Sequence, residues 1–209
     1  MSWDGCGVTI ILLEPTYKMK MLYVFTEEPS AQIVMDSLLP KVLPEGVGFK
    51  VFPHQGKQDL EKALRKTLPQ ISQMPGAKIL VTRDQDSSNC VELKKELNRI
   101  IEGSCKCEYS IRIICKELEA WFLGDLKAVQ EAYPRFKPEQ YHTKADFKNV
   151  DKITNPNKYL LKIIPEYKNR GTLPKLECSE RIAPFLDLEN NRSESFNHTV
   201  RAIQKLIET

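Results

Sequence analysis

Four short apolar runs constrain the chain most, because each is followed by a segment with a different, helical period. They are Met21 to Phe25, Phe49 to Phe52, Ile79 to Val81, and Ile111 to Ile114. After the first, Ser30 to Leu39 reads as a helix that stops before Pro40. After the second, Leu60, Leu64 and Leu68 recur at helical spacing behind a start near Gln58 or Asp59. Leu93, Leu97, Ile100 and Ile101 stripe a third helix, with Gly103 expected as its C-terminal cap. Glu117 to Ala132 reads as a fourth, interrupted at Gly124 and ended before Pro134. Strands that alternate with helices need crossover connections, and crossovers make a parallel sheet covered on both faces. The fold expected over residues 21–133 is therefore α/β, a Rossmannoid four-stranded parallel sheet between helices.

Residues 134–209 lack that alternation. They show an apolar patch at Tyr159 to Ile164, then a clear last helix in which Phe196, Val200, Ile203 and Ile207 share a face. Ser193 or an adjacent asparagine is placed to cap it. This part reads as a C-terminal α-helical appendage packed on the core. Residues 1–20 read as an N-terminal extension set off by Pro15, which makes Met21 an alternative start of the domain.

Charge is distributed unevenly. Over residues 1–133 there are 17 Lys/Arg against 18 Asp/Glu, whereas 134–209 carry 14 against 10. Within 135–175 the count is 10 against 4, an excess of six that suits a polyanion, a solvated basic face being the alternative. No stretch approaches the roughly eighteen apolar residues of a spanning helix, so no membrane partner is expected. The opening segment has only Val8 to Leu13 as an apolar run and carries Asp4 where a signal peptide is basic. The six cysteines are accordingly read as reduced thiols in a cytoplasmic protein. Cys105 and Cys107 have no second pair for zinc, and His54, His142 and His198 lack ligand spacing. Neither a phosphate-binding G-x-x-x-x-G-K-[ST] loop nor a G-x-S-x-G elbow is present.

In open parallel sheets the functional crevice lies beyond the carboxyl ends of the strands. Those ends carry Glu27-Glu28, then His54-Gln55-Gly56-Lys57, then Asp84-Gln85-Asp86, then Glu117-Leu118-Glu119. Carboxylates gathered at one edge repel unless a cation neutralises them, and hard divalent ions prefer oxygen ligands. An Asp-x-Asp pattern alone is weak, a solvated turn being its ordinary explanation, so its place after a buried strand carries the reading. Glu117 and Glu119 fall about 200° apart on a helix, which favours Glu117, nearer the strand end, as the metal candidate. Trp121 and Phe122 read as core.

A glutamate after the first strand and Asp-x-Asp after the third resemble the Toprim fold of topoisomerases, primases and overcoming-lysogenization-defect nucleases. More specifically, the chain resembles a bacterial Toprim-like family catalogued as a domain of unknown function. The stretches that carry this are EEPSA (27–31), QGKQDL (55–60), TRDQDSSNCVELKKEL (82–97), ELEAWFLGDLKAVQEAYP (117–134) and NRSESF (191–196). The resemblance implies an Mg²⁺- or Mn²⁺-dependent nuclease acting on DNA or RNA in a phage-defence setting, beside a separate ATPase subunit. The alternative it leaves open is a non-enzymatic nucleic-acid-binding or adaptor subunit working with that ATPase. It implies Glu27, Asp84, Asp86 and Lys57 as catalytic residues; with Glu117 added from its place at the strand end, the expected metal ligands are Glu27, Glu28, Asp84, Asp86 and Glu117. Glu28 stands where many Toprim relatives have glycine, so Glu27 and Glu28 remain alternatives. Lys57 is either a phosphate-neutralising group or a plain helix-entry lysine. Lys158, Lys162, Lys168, Lys175 and Arg192 are the expected nucleic-acid contacts. Ser193 and Ser195 either bind phosphate or cap the last helix.

Overall fold

The structure, a computed structural model, describes residues 19–208. The expected N-terminal extension therefore lies outside the described residues except for Met19 and Lys20. Strands β1 (Met21–Thr26), β2 (Gly48–Pro53), β3 (Ala77–Asp84) and β4 (Tyr109–Ile114) form one parallel sheet ordered β2-β1-β3-β4. Helices α1 (Pro29–Val42), α2 (Lys57–Lys66), α3 (Leu68–Ile71) and α4 (Cys90–Ile101) fill the connections. Beyond β4 follow α5 (Glu119–Gly124), α6 (Leu126–Ala132), α7 (Pro156–Ile163), α8 (Lys175–Ile182) and α9 (Glu194–Glu208). This is the α/β sheet between helices that the alternation of periods implies. No helix among the described residues is long and apolar enough to cross a membrane.

Register assigns the two faces. Leu22, Val24 and Thr26 of β1 align with Lys78, Leu80 and Thr82 of β3, so even-numbered positions share one face and odd ones the other. On the even face, Leu22, Val24 and Leu80 are buried in one cluster with residues of α1 and of α5 to α9. On the odd face, Phe25, Ile79 and Val81 pack with Leu60, Leu64, Leu93 and Leu97 of α2 and α4. The C-terminal helices thus build the covering layer of one face: α9 lies on β4 and β3, and α8 lies on α1.

Local details depart from the periodicity for identifiable reasons. Helix α1 runs through Pro40, because near a helix end the ring forfeits a single backbone bond while Leu38 and Leu39 remain fully packed. Leu43 N–H then closes the helix on the Leu39 carbonyl at 2.9 Å. Leu68 is buried as expected but belongs to α3, since Pro69 opens a new turn. Gly103 does not cap α4; that position is Glu102, and Gly103 has no left-handed backbone. β3 continues past its apolar run through Thr82, Arg83 and Asp84, all buried.

The break at Gly124 has a packing cause. Asp125 leaves the helix and caps α6 by accepting from Ala128 N–H at 2.9 Å. A methyl group on Gly124 would collide with Asn191 Oδ1 and lie 2.8 Å from the Ser193 nitrogen. Arg192 N–H meanwhile donates to the Gly124 carbonyl at 2.9 Å. Gly124→Ala is expected to destabilise by about 1–3 kcal/mol, as overpacking against backbone does. Gly103→Ala, which meets nothing within 4 Å, serves as the neutral control. Equal urea midpoints for the two variants would refute the close-approach argument.

Candidate functional site

Because β1 neighbours both β2 and β3, the connections from the sheet's centre diverge between β1 and β3, where open α/β sheets place their crevice. From β1 the chain turns through Glu27 and Glu28 into α1. Glu28 is extended (φ −131°, ψ 154°) and Pro29 fits the first helical position. The Glu28 side chain does not cap the helix. Its Oε2 accepts from Ser30 Oγ at 3.3 Å and lies 2.9 Å from Lys175 Nζ at the start of α8. The positive end of the α1 dipole faces this group.

From β3, consecutive side chains point to opposite faces. Arg83 goes to the odd face, 3.0 Å from Glu61 and 3.7 Å from Glu27. Asp84 goes to the even face, where Oδ2 accepts from Leu118 N–H at 3.3 Å. Asp84 N–H in turn donates to Glu27 Oε2 at 3.3 Å, tying the two strand ends together. Beyond them, Asp86 (φ 50°) and Lys116 (φ 62°) both adopt left-handed backbone and are joined by Asp86 N–H to the Lys116 carbonyl at 2.9 Å. Each such non-glycine residue costs on the order of 1 kcal/mol, strain that the loops at this edge hold.

Helix α5 then opens with Glu119, which is only 1% exposed. Its Oε1 lies 3.7 Å from Lys175 Nζ, and its Oε2 is buried with no hydrogen-bond partner. Thr82 Oγ1 nearby is likewise buried and unpartnered. Glu27, Glu28, Ser30, Thr82, Arg83 and Asp84 line the resulting cleft.

The carboxylates here are under electrostatic stress. Burial, then the charges of Glu119, Glu28 and Glu27, hold Asp84 well above the usual aspartate range. Burial raises Glu119 to about 7 against the pull of Lys175. Burial also raises Glu27, opposed by Arg83 and assisted by Asp86. For Lys175, burial acts downward, but Glu119, Glu28 and Asp84 outweigh it and raise the ammonium above its ordinary value.

Of the residues expected from sequence, Glu27, Glu28 and Asp84 come together. Asp86 is exposed at the rim, within electrostatic reach of Glu27. Glu117 instead holds the start of α7, accepting from Asn157 N–H at 3.1 Å and from Asn157 Nδ2 at 3.4 Å. Lys57 is exposed at the first position of α2; the adjacent Gly56 N–H donates to the Glu27 carbonyl at 2.9 Å. Lys175, expected among nucleic-acid contacts, is instead paired with Glu28 and Glu119 beside the acidic cleft. Lys158, Lys162 and Lys168 are exposed away from it. Arg192 braces the carbonyls of His142 and Phe147 at 3.2 and 3.3 Å. Ser193 Oγ caps α9 by accepting from Phe196 N–H at 3.1 Å, and Ser195 Oγ accepts from Trp121 Nε1 at 3.0 Å. Glu119 and Arg83 carry as much of the site as the expected residues do. Their signals were adjacency to Glu117 and to Asp84.

Among the described residues, no three His, Cys, Asp or Glu side chains converge tightly enough to form a ready metal cage. The donor set nevertheless fits a hydrated divalent cation. Mg²⁺ is commonly bound by one or two carboxylates while keeping several waters. Crowded carboxylates and the unpartnered Glu119 oxygen are what such an ion would satisfy. Elsewhere, Cys90, Cys105, Cys107, Cys115 and Cys178 are free thiols, and Cys105 Sγ lies 3.9 Å from Cys107 Sγ.

Comparison with known proteins gives one family match: residues 26–204 fit the model described as "Domain of unknown function (DUF4276)". No curated protein and no solved structure matches. The matched stretch includes every acidic residue of the cleft.

Proposed function

The chain belongs to the DUF4276 family, and from the cleft within its matched stretch we propose a divalent-cation-dependent phosphodiesterase acting on DNA or RNA. One observation carries the reading: Glu27, Glu28, Asp84 and Glu119 crowd the point where the sheet's connections diverge, with their charge only partly offset. Glu27 and Asp84 would hold Mg²⁺ or Mn²⁺, which would supply charge neutralisation and a more acidic bound water. Glu119, raised to about 7, is suited to exchange a proton at neutral pH. Lys57 at the rim would meet a substrate phosphate. The Toprim likeness of Glu27 and of Asp84-x-Asp86 supports the same chemistry, and with it a defence role beside an ATPase subunit.

The test is cleavage of single- and double-stranded DNA and RNA with Mg²⁺ or Mn²⁺, paired with stability. At a hundred times its dissociation constant the ion should stabilise the protein by about 2.7 kcal/mol. Glu27→Gln combined with Asp84→Asn should lose both cleavage and that stabilisation. An equal metal response in wild type and double variant would remove the cleft from the reading. Stabilisation without cleavage of any substrate would favour an ion-holding adaptor.

A further inference from the structure

Away from the acidic cleft, Arg135, Lys137, Lys162 and Lys168 line one groove of about 460 Å³ together with Gln140 and Tyr141. No Asp or Glu lines it, although Glu139 and Glu166 are close in sequence. None of the four cations has an ion pair among the described residues. Four like charges on one concave wall repel one another, and an anionic occupant would relieve that repulsion.

The groove's aromatic ring is already engaged by its neighbours. Tyr141 is stacked on Phe136 (ring centroids 5.3 Å apart, 17° between planes), and Lys144 Nζ lies 4.2 Å from its centroid. The wall therefore presents chiefly charge and hydrogen-bond donors. Such chemistry positions a phosphate backbone and does not read bases.

Helix α7 relates the groove to the segment that follows β4. Helix α7 begins at the Glu117 carboxylate through Asn157. Lys162 is five residues further along the same helix, roughly 7.5 Å on the axis. On the far side of the groove, Arg135 and Lys137 flank buried Phe136, which fixes their backbone.

We propose that this groove is a sequence-independent subsite for the phosphate backbone of a polynucleotide strand; as a substrate track it rests on the phosphodiesterase reading. It takes in Arg135 and Lys137, which the sequence did not single out. It leaves out Lys158, which does not line it, Lys175, which is ion-paired beside the cleft, and Arg192, which braces carbonyls.

The experiment measures binding of two unrelated labelled single strands of about 20 nucleotides at several salt concentrations in EDTA, so that no cleavage intervenes. Wild type should bind both alike, with a log–log salt slope of about −0.7 per phosphate contact. Replacing Arg135, Lys137, Lys162 and Lys168 together by Gln should flatten that slope by roughly three, and Lys162→Glu with Lys168→Glu, which changes the wall by the same four charges, should weaken binding comparably. Lys158→Gln should leave the slope unchanged. All four positions are exposed, and unchanged thermal midpoints would verify intact folds. An unaltered slope in the quadruple variant overturns the subsite, as does tripolyphosphate competing as tightly as the strands. Binding that depends on the groove, with no cleavage in Mg²⁺, would retain the subsite and sink the phosphodiesterase reading. Cleavage and binding indifferent to the groove would do the reverse.

Discussion

Asp84→Asn is expected to lower cation-dependent cleavage by at least about a hundredfold while the cation-free protein keeps or raises its thermal midpoint. The two halves of this result come from one cause. Asp84 is 8% exposed and crowded by Glu119, Glu28 and Glu27, so its charge is held at a cost when no cation is present. Asparagine keeps the shape and an oxygen acceptor for Leu118 N–H while removing the charge. A metal site contributes several kcal/mol to a transition state, and about 1.4 kcal/mol corresponds to a factor of ten in rate. A midpoint that fell steeply would mark Asp84 as part of the framework. Cleavage surviving in the variant would move the chemistry elsewhere.

The contrast between Asp84 and Glu117 shows what the sequence could and could not reveal. Apolar runs locate the strands, because a buried parallel strand has to be apolar over several residues. The run in β3 ends at Val81, yet the strand continues to Asp84. Its last residues are polar and are satisfied by groups distant in sequence: Arg83 by Glu61 and Glu27, and Asp84 by Leu118 N–H. No local pattern encodes such partners. Helical geometry correctly separated Glu117 from Glu119, but not which of them enters the cleft. That depends on the left-handed turn at Lys116, after which α5 starts at Glu119 and Glu117 meets Asn157. The Lys175–Glu28 pair spans 147 positions and could not be inferred from spacing. Ser193 was legible as a cap because capping is local: its hydroxyl serves a backbone group three residues on.

Lys175 supplies the second large effect, and it should depend on pH. Glu119 is raised from an ordinary 4.5 to about 7, so between those values the folded chain binds protons that the unfolded chain releases. Without a cation, stability therefore falls as pH rises across that window, by up to about 3 kcal/mol from this group. Lys175 limits the decline by standing 3.7 Å from a carboxylate that is 2% exposed. Its closer contact, Glu28 at 2.9 Å, is a part-exposed pair worth at most about 1 kcal/mol. In Lys175→Met, Glu119 loses its opposing charge, and its protonation is pushed to still higher pH. At pH 5 the folded-state Glu119 is already protonated, so the substitution should cost little. At pH 8 Glu119 is ionised in the wild type but must take up a proton in the variant, which limits the cost from this group to about 1–2 kcal/mol. Adding Glu119→Gln to Lys175→Met should restore most of the loss at pH 8 and change little at pH 5. Urea unfolding of the three proteins at both pH values measures this directly. A loss of equal size at both pH values, unrescued by Glu119→Gln, would mean that Lys175 acts through the packing of its side chain and not through its charge.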